Sequence, residues 1–322
     1  DRVRASIPAT KLELESSDPS IARIEGGIVR PVGNGSTTIV ARQEDGTEAK
    51  ATVEVTGVER EHRWSFRNDV QSVISKIGCN SGACHGALAG KGGFRLSLRG
   101  YNPEADFLTI TREARGRRIE LADPGKSLIL TKPTGVLPHK GGLKLDPGSR
   151  DYRVLAEWIA TGAQGPRDED PRLVSISVMP QASLLRPGDH SRILVNAHYD
   201  DGRIVDVTHW SKFSATDESV AGVDDAGKVD VRGSGEGAVL VWFGSKVALA
   251  RMTVPYPNEV PPEVYAQAPR RNFIDELNLE QLKTLQLPPS PRCDDEAFLR
   301  RATIDTIGRL PTLGERELYL SE

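Results

Sequence analysis

The chain has only three cysteines and two methionines in 322 residues. So few thiols exclude a disulfide-built scaffold. No apolar run approaches the roughly 18 to 20 residues that a helical membrane span needs. The formal net charge of −3 creates no strong bulk field, which argues against a nucleic-acid partner. A nucleophile elbow, a phosphate loop and a clustered carboxylate pair are also missing, so no catalytic apparatus is legible and enzymatic activity is left open. The first residue is Asp1 rather than methionine, so the numbering reads as starting inside a processed or excised piece. The lack of a signal peptide is then uninformative.

Two of the three cysteines fall in one heptapeptide, Cys79-Asn-Ser-Gly-Ala-Cys84-His85. Two thiols followed at once by an imidazole suit covalent haem attachment: the sulfurs add across the porphyrin vinyl groups and the adjacent imidazole binds one face of the iron. The spacer is four residues, where two is the common form. Two other chemistries therefore stand beside haem. A tetrahedral zinc site from Cys79, Cys84, His85 and His139 has the right donors, but it requires neighbouring Cys84 and His85 to chelate one ion. A local Cys79 to Cys84 disulfide is the other. Cys293 has no histidine near it in sequence and reads as a partly buried, inert thiol.

Apolar spacing predicts a helix before the motif, with Phe66, Val70, Val73, Ile74 and Ile77 on one face and Gly78 as its breaker. A second helix is predicted after Ser149, which can cap it. Tyr152, Leu155, Ala156 and Ile159 form its stripe, Val154 and Trp158 widen it, and Gly162 ends it. A haem ligated on both faces needs a second ligand, and His139 lies in a glycine-containing loop just ahead of that helix. His62 and Lys140 are weaker candidates, and so are Met179 and Met252, which read as strand residues. His190, His198 and His209 read as ordinary residues of a β domain, and a five-coordinate iron stays open. Arg115, Arg117 and Arg118 are candidates to pair with the haem propionates, or simply form a charged turn. The segment from 58 to 170 carries net +4, which would favour an acidic docking partner.

An internal repeat brackets this segment. Ser17-Asp-Pro-Ser-Ile-Ala-Arg-Ile24 parallels Thr216-Asp-Glu-Ser-Val-Ala-Gly-Val223, and each leads through a glycine turn and a short strand to a Gly-x-Gly corner at Gly33/Gly35 or Gly235/Gly237. Alternating strands with turns at this spacing predict small β-sandwiches. The first copy lacks the counterpart of roughly 29 residues of initial strands, so it is expected either to end at a fragment boundary or to receive strands from elsewhere. Beyond Pro255, a proline-rich linker precedes helical patterns through Phe273, Leu277, Leu282 and Leu285, then Phe298, Leu299, Ala302 and Ile307.

The repeat resembles bacterial immunoglobulin-like group 2 domains. Gly78 to Gly86, Gly93-Phe-Arg-Leu-Ser-Leu-Arg-Gly-Tyr101, Ala114 to Arg118, Pro138-His-Lys-Gly-Gly142 and Trp158-Ile-Ala-Thr-Gly162 are similar to the planctomycete cytochrome c-like module. Phe298 to Thr312 looks like the opening of a domain of unknown function that accompanies it. The resemblance implies a multidomain fold in which all-β immunoglobulin-like sandwiches flank a mainly α-helical cytochrome c-like haem domain, followed by a helical C-terminal segment. The expected boundaries are 1–57, 58–170, 171–256 and 257–322. It further implies one covalent haem c on Cys79 and Cys84, with His85 proximal and His139 distal, serving electron transfer outside the cytoplasmic membrane to an unidentified redox partner. The immunoglobulin-like domains would be spacers or would contact carbohydrate or protein. The rival expectations are an adhesion or scaffold protein with a structural or sensory haem, and an electron-feeding module for an enzyme truncated here.

Overall fold

The computed structural model describes residues 2–3, 12–59 and 63–321, with residues 2 and 3 known by backbone alone. The chain falls into two compact units, Asp1–Val254 and Pro255–Glu322.

The internal repeat is real down to single hydrogen bonds. In the first copy the backbone N–H and hydroxyl of Ser20 donate to Asp18 Oδ1 at 2.9 and 2.6 Å, and in the second those of Ser219 donate to Asp217 Oδ1 at the same distances. Small antiparallel pairs follow, Ala22–Glu25 with Ile28–Pro31 and Ala221–Val223 with Lys228–Val231. Each copy then has a glycine, Gly33 or Gly233, whose Cβ would lie 2.8 Å from the Ser20 or Ser219 carbonyl oxygen. Only glycine fits where two backbones pass this closely. The hairpins Gly35–Arg42 with Glu48–Val55 and Gly235–Phe243 with Lys246–Val254 complete both copies.

The copies differ in what surrounds them. In the second, the hairpin joins a five-stranded sheet with Lys212–Ala215, Ala182–Leu184 and Arg2–Val3, beside three-stranded sheets built on Leu194–Tyr199 and Lys228–Val231. Among the described residues the first has a three-stranded sheet and one two-stranded hairpin. With fewer layers to cover it, Ile28 stays 57% exposed.

Between the copies, Phe66–Val70 opens as one π-type turn and runs into the α-helix Gln71–Lys76. Phe66, Val70, Val73 and Ile74 are buried, as their spacing predicts, and Ile77 is half-buried. Ser149 caps Arg150–Ala160 by accepting from the Tyr152 N–H, and Val154, Leu155, Trp158 and Ile159 are its buried face.

The expected fold class requires correction. The chain is a mixed α and β structure of several small sheets and short helices, not sandwiches flanking a mainly α-helical cytochrome c-like domain. The α-helices of the 58–170 segment are only six, nine, four and eleven residues long. Turns, single 3-10 turns and irregular backbone join them, because Gly78, Gly90, Gly93, Gly100, Gly116, Gly135 and Gly142 all take left-handed backbone that interrupts helices. The apolar faces of these helices do not close a core of their own. Phe66, Ile74, Leu155 and Trp158 share one continuous core with Val195, Val229, Val239 and Met252 of the second repeat.

In the second unit, Asn272 and Asp275 form a capping box at the head of Phe273–Leu285, and Asp294 and Gly308 bound Asp295–Ile307. The buried face here differs from the expected one: Leu279 and Leu285 are buried with Tyr265, whereas Phe273 and Leu277 are exposed.

Candidate haem site

Gly78, at φ +80°, ends the first helix and turns the chain into the Cys-Cys-His segment. The segment is wound tightly on its own backbone. Cys84 N–H donates to the Ser81 carbonyl, His85 N–H to Cys79 and Gly86 N–H to Ser81, at 2.9, 2.9 and 3.0 Å. The four-residue spacer is thus absorbed in consecutive turns, and Cys79, Cys84 and His85 all face one cavity of about 840 Å³. Its size falls in the range of cofactor and ligand pockets.

His139 lines the same cavity. The rings of His85 and His139 are nearly parallel, with planes 11° apart and centres 6.3 Å apart. His85 Nδ1 lies 3.0 Å from the Phe94 carbonyl oxygen, and His139 Nδ1 lies 3.1 Å from that of Gly142. A carbonyl oxygen can only accept, so each Nδ1 carries the proton and each Nε2 keeps a free lone pair. Anchoring one ring nitrogen on the backbone so that the other can bind metal is the usual support for a histidine ligand. Burial lowers the pKa of His85, which favours the neutral, ligating form, although the Phe94 carbonyl opposes that shift.

Cys79 and Cys84 are free thiols. Burial pushes Cys79 up to about 12, with the neighbouring Cys84 adding to the shift, so its sulfur stays protonated at neutral pH. Phe94, Leu128, Ile129 and Pro133 supply apolar wall. Lys91, Arg117, Arg118, Lys132 and Lys140 supply positive charge, with no carboxylate among the lining residues. A flat apolar macrocycle bearing two carboxylates fits this composition.

The three arginines separate. Arg117 is exposed and lines the cavity. Arg118 lines it too but is buried, its guanidinium donating to the Thr109, Glu113 and Gly93 carbonyls and lying 4.6 Å over the Phe94 ring. It braces the wall. Arg115 is exposed on left-handed backbone and is not among the lining residues. Lys91 and Lys132 were not legible in advance, because only folding carries them to the cavity.

The other histidines and methionines have local roles. His209 pairs with Asp151, His190 with Asp230 and His198 with Ser177. Met252 is buried in the core of the second repeat, and Met179 is exposed on a strand. His62 lies outside the described residues. Among the described residues no group of three or more His, Cys, Asp or Glu side chains is placed to hold a metal ion, so the tetrahedral zinc arrangement is not preformed. No helix among them is long and apolar enough to cross a membrane.

No family model matches the chain, and no curated protein matches it. Solved structures of S-layer proteins superpose on it. The crystal structure of S-layer protein rSbsC(31-844) is 9% identical over 79% of this chain and 21% of its own, with a TM-score of 0.23. Domains 4 and 5 of SbsC are 9% identical over 77% of this chain and 72% of theirs, also at 0.23. Domains 5-6 are 15% identical over 28% of this chain and 48% of theirs, again at 0.23. This chain thus spans only 21% of the first S-layer structure.

Proposed function

We propose that this chain carries one covalent haem c, attached through Cys79 and Cys84 and ligated by His85 and His139, and that it serves electron transfer outside the cytoplasm. The observation that carries the reading is the pair of backbone-anchored imidazoles, each with a free Nε2, on the cavity that both cysteines line. Bound there, the haem would supply a one-electron iron couple. The Phe94 and Gly142 carbonyls each hold one imidazole by its Nδ1, which leaves Nε2 to the ligand. Leu128, Ile129 and Phe94 give the cavity apolar wall, and the surrounding lysines with Arg117 favour a ligand carrying carboxylates. Held by both imidazoles, the group would suit electron transfer better than oxygen activation. The location follows from the chemistry proposed, because c-type haem is attached outside the cytoplasmic membrane.

The test is a visible spectrum of the full chain expressed with haem-maturation machinery. The expected result is a Soret band with sharp reduced α and β bands, and haem that stays with the polypeptide on a denaturing gel. Absence of Soret absorption from folded protein would refute the proposal.

A further inference from the structure

The Phe94 carbonyl that takes the Nδ1 proton of His85 also accepts the Lys91 N–H at 2.9 Å. Phe94 ends a two-residue turn, Gly92-Gly93, that is closed by a bridge between Lys91 and Phe94. Both glycines are left-handed, at φ +58° and +70°. Such a turn suits the tight reversal but carries no side chain that could stiffen it. The acceptor on which His85 depends therefore sits on a soft piece of backbone, and what holds it must come from elsewhere in the chain.

Arg118 supplies it. The side chain is buried, and its Nη2 donates to the Gly93 carbonyl at 2.8 Å. Its Nη1 donates to the Thr109 and Glu113 carbonyls at 2.8 and 3.2 Å, and Thr109 lies in the last turn of the helix Pro103–Thr111. A helix end has unpaired carbonyls and favours a cation, so the arginine ties the glycine turn to a firm anchor. Its guanidinium also lies 4.6 Å over the Phe94 ring, whose other neighbour is the His85 ring at 4.5 Å between centres. The Gly93 carbonyl and the Phe94 N–H share one peptide plane. Arg118 holds the oxygen of that plane, and the Lys91 carbonyl accepts its N–H at 3.1 Å. With the plane and the ring both held, little freedom is left to the Phe94 carbonyl.

We propose that Arg118 is a positioning residue for the His85 ligand, acting through Gly93 and Phe94. By fixing the acceptor of the Nδ1 proton it keeps His85 in the tautomer whose Nε2 is free, and it strengthens that nitrogen as a donor. This role rests on the haem proposed for the cavity. It is distinct from propionate pairing, because the three described hydrogen bonds of the guanidinium all go to backbone carbonyls.

Arg118→Lys in the haem-loaded full chain is the test, because an ammonium keeps the charge but cannot span separate carbonyls and lie flat over a ring. The readouts are exchange of the His85 Nδ1 proton with heavy water, followed by NMR, and the reduction potential. The expected result is exchange roughly tenfold faster, the ratio that loss of about one net hydrogen bond gives. The potential is expected to rise, since a weaker donor stabilises ferric iron less. Arg118→Gln, whose neutral amide costs less to bury, is expected to show the same faster exchange and carries the test if the lysine variant does not fold. Arg115→Gln removes a charge nearby without touching the clamp and is expected to match the parent. A folded Arg118 variant that melts lower but keeps the parent's exchange marks a structural role only and overturns the proposal, as does an equal change in Arg115→Gln. If the full chain takes up no haem, nitrogen NMR reads the tautomer of neutral His85 in the haem-free protein. There the Nδ1–H form is expected in the parent, with its ratio to Nε2–H roughly tenfold lower in the Arg118 variants. An unchanged ratio overturns the proposal, so failure of the haem and failure of the Arg118 role are distinguishable.

Discussion

His85 and His139 face one cavity with ring planes 11° apart, and each holds its Nδ1 against a backbone carbonyl. The two residues are far apart in sequence and belong to separate loops, so the approach of their rings comes entirely from folding.

The pair predicts unequal losses. His139→Ala removes one axial donor and leaves both thiols, so the protein is expected to retain covalent haem while its spectrum becomes high-spin. His85→Ala is expected to lower haem incorporation itself. Absorption spectra and haem-stained gels separate the two, and a low-spin spectrum in His139→Ala would remove the distal assignment.

Glycines within and beside the motif should respond oppositely to a methyl group. A Cβ on Gly86 would lie 2.1 Å from the Asn80 carbonyl oxygen, a backbone atom that cannot rotate away. One on Gly82 would meet nothing nearer than Leu98 Cδ1 at 3.9 Å. Gly86→Ala is expected to cost about 1–3 kcal/mol or more and to disturb the Cys79 to His85 turns. Gly82→Ala is expected to stay within about 0.5 kcal/mol of the parent in urea denaturation.

Trp158 is fully buried, donates from Nε1 to the Gln164 carbonyl at 2.9 Å and packs 5.4 Å from Phe66. Trp158→Ala is expected to destabilise the first unit by about 3–5 kcal/mol. The loss should appear in the same melting transition as the sheets of the second repeat, since they share its core. A separate melt of the helical segment would contradict that shared core.

Asp151 accepts from His209 Nε2 at 2.9 Å and from Trp210 Nε1 at 3.0 Å, tying the last helix of the segment to the second repeat. Burial raises its pKa, but the hydrogen bonds from His209 and Trp210 outweigh that, so the carboxyl lies below its ordinary value. A depressed folded value makes the stabilisation fully present above the unfolded carboxylate pKa, near 3.9, and lost as pH falls through the folded value. Urea titrations at pH 7 and near pH 3 should therefore show Asp151→Asn losing less stability on acidification than the parent. At pH 7 the variant should be about 1–3 kcal/mol weaker, because it gives up a charge-assisted contact in a buried place.

Much of the site was legible in the chain before folding. The placing of two thiols beside an imidazole needs no tertiary information, and neither do the cap at Ser149 or the apolar face from Phe66 to Ile74. The glycine corner of the first copy was readable at Gly33, but in the second copy its counterpart is Gly233 rather than the expected Gly235, because the close approach of two backbones that demands glycine there is set by folding. The architecture was less legible. Local periodicity says that a helical face is apolar but not what covers it, and here the cover is the second repeat, which makes the segment part of one mixed α and β unit.

The sequence by itself determined the clustering of Cys79, Cys84 and His85, the duplicated strand units and the helix boundaries set by Gly78 and Ser149. Only the tertiary structure decided that Arg118 is spent on backbone carbonyls and that Arg115 stays off the cavity. It also decided that Asn80, Ser81 and Gly82 line a second, cationic cavity. The physical reason is range. Covalent spacing and backbone sterics act over a few residues, whereas burial and cavity lining depend on long-range packing that no local pattern encodes.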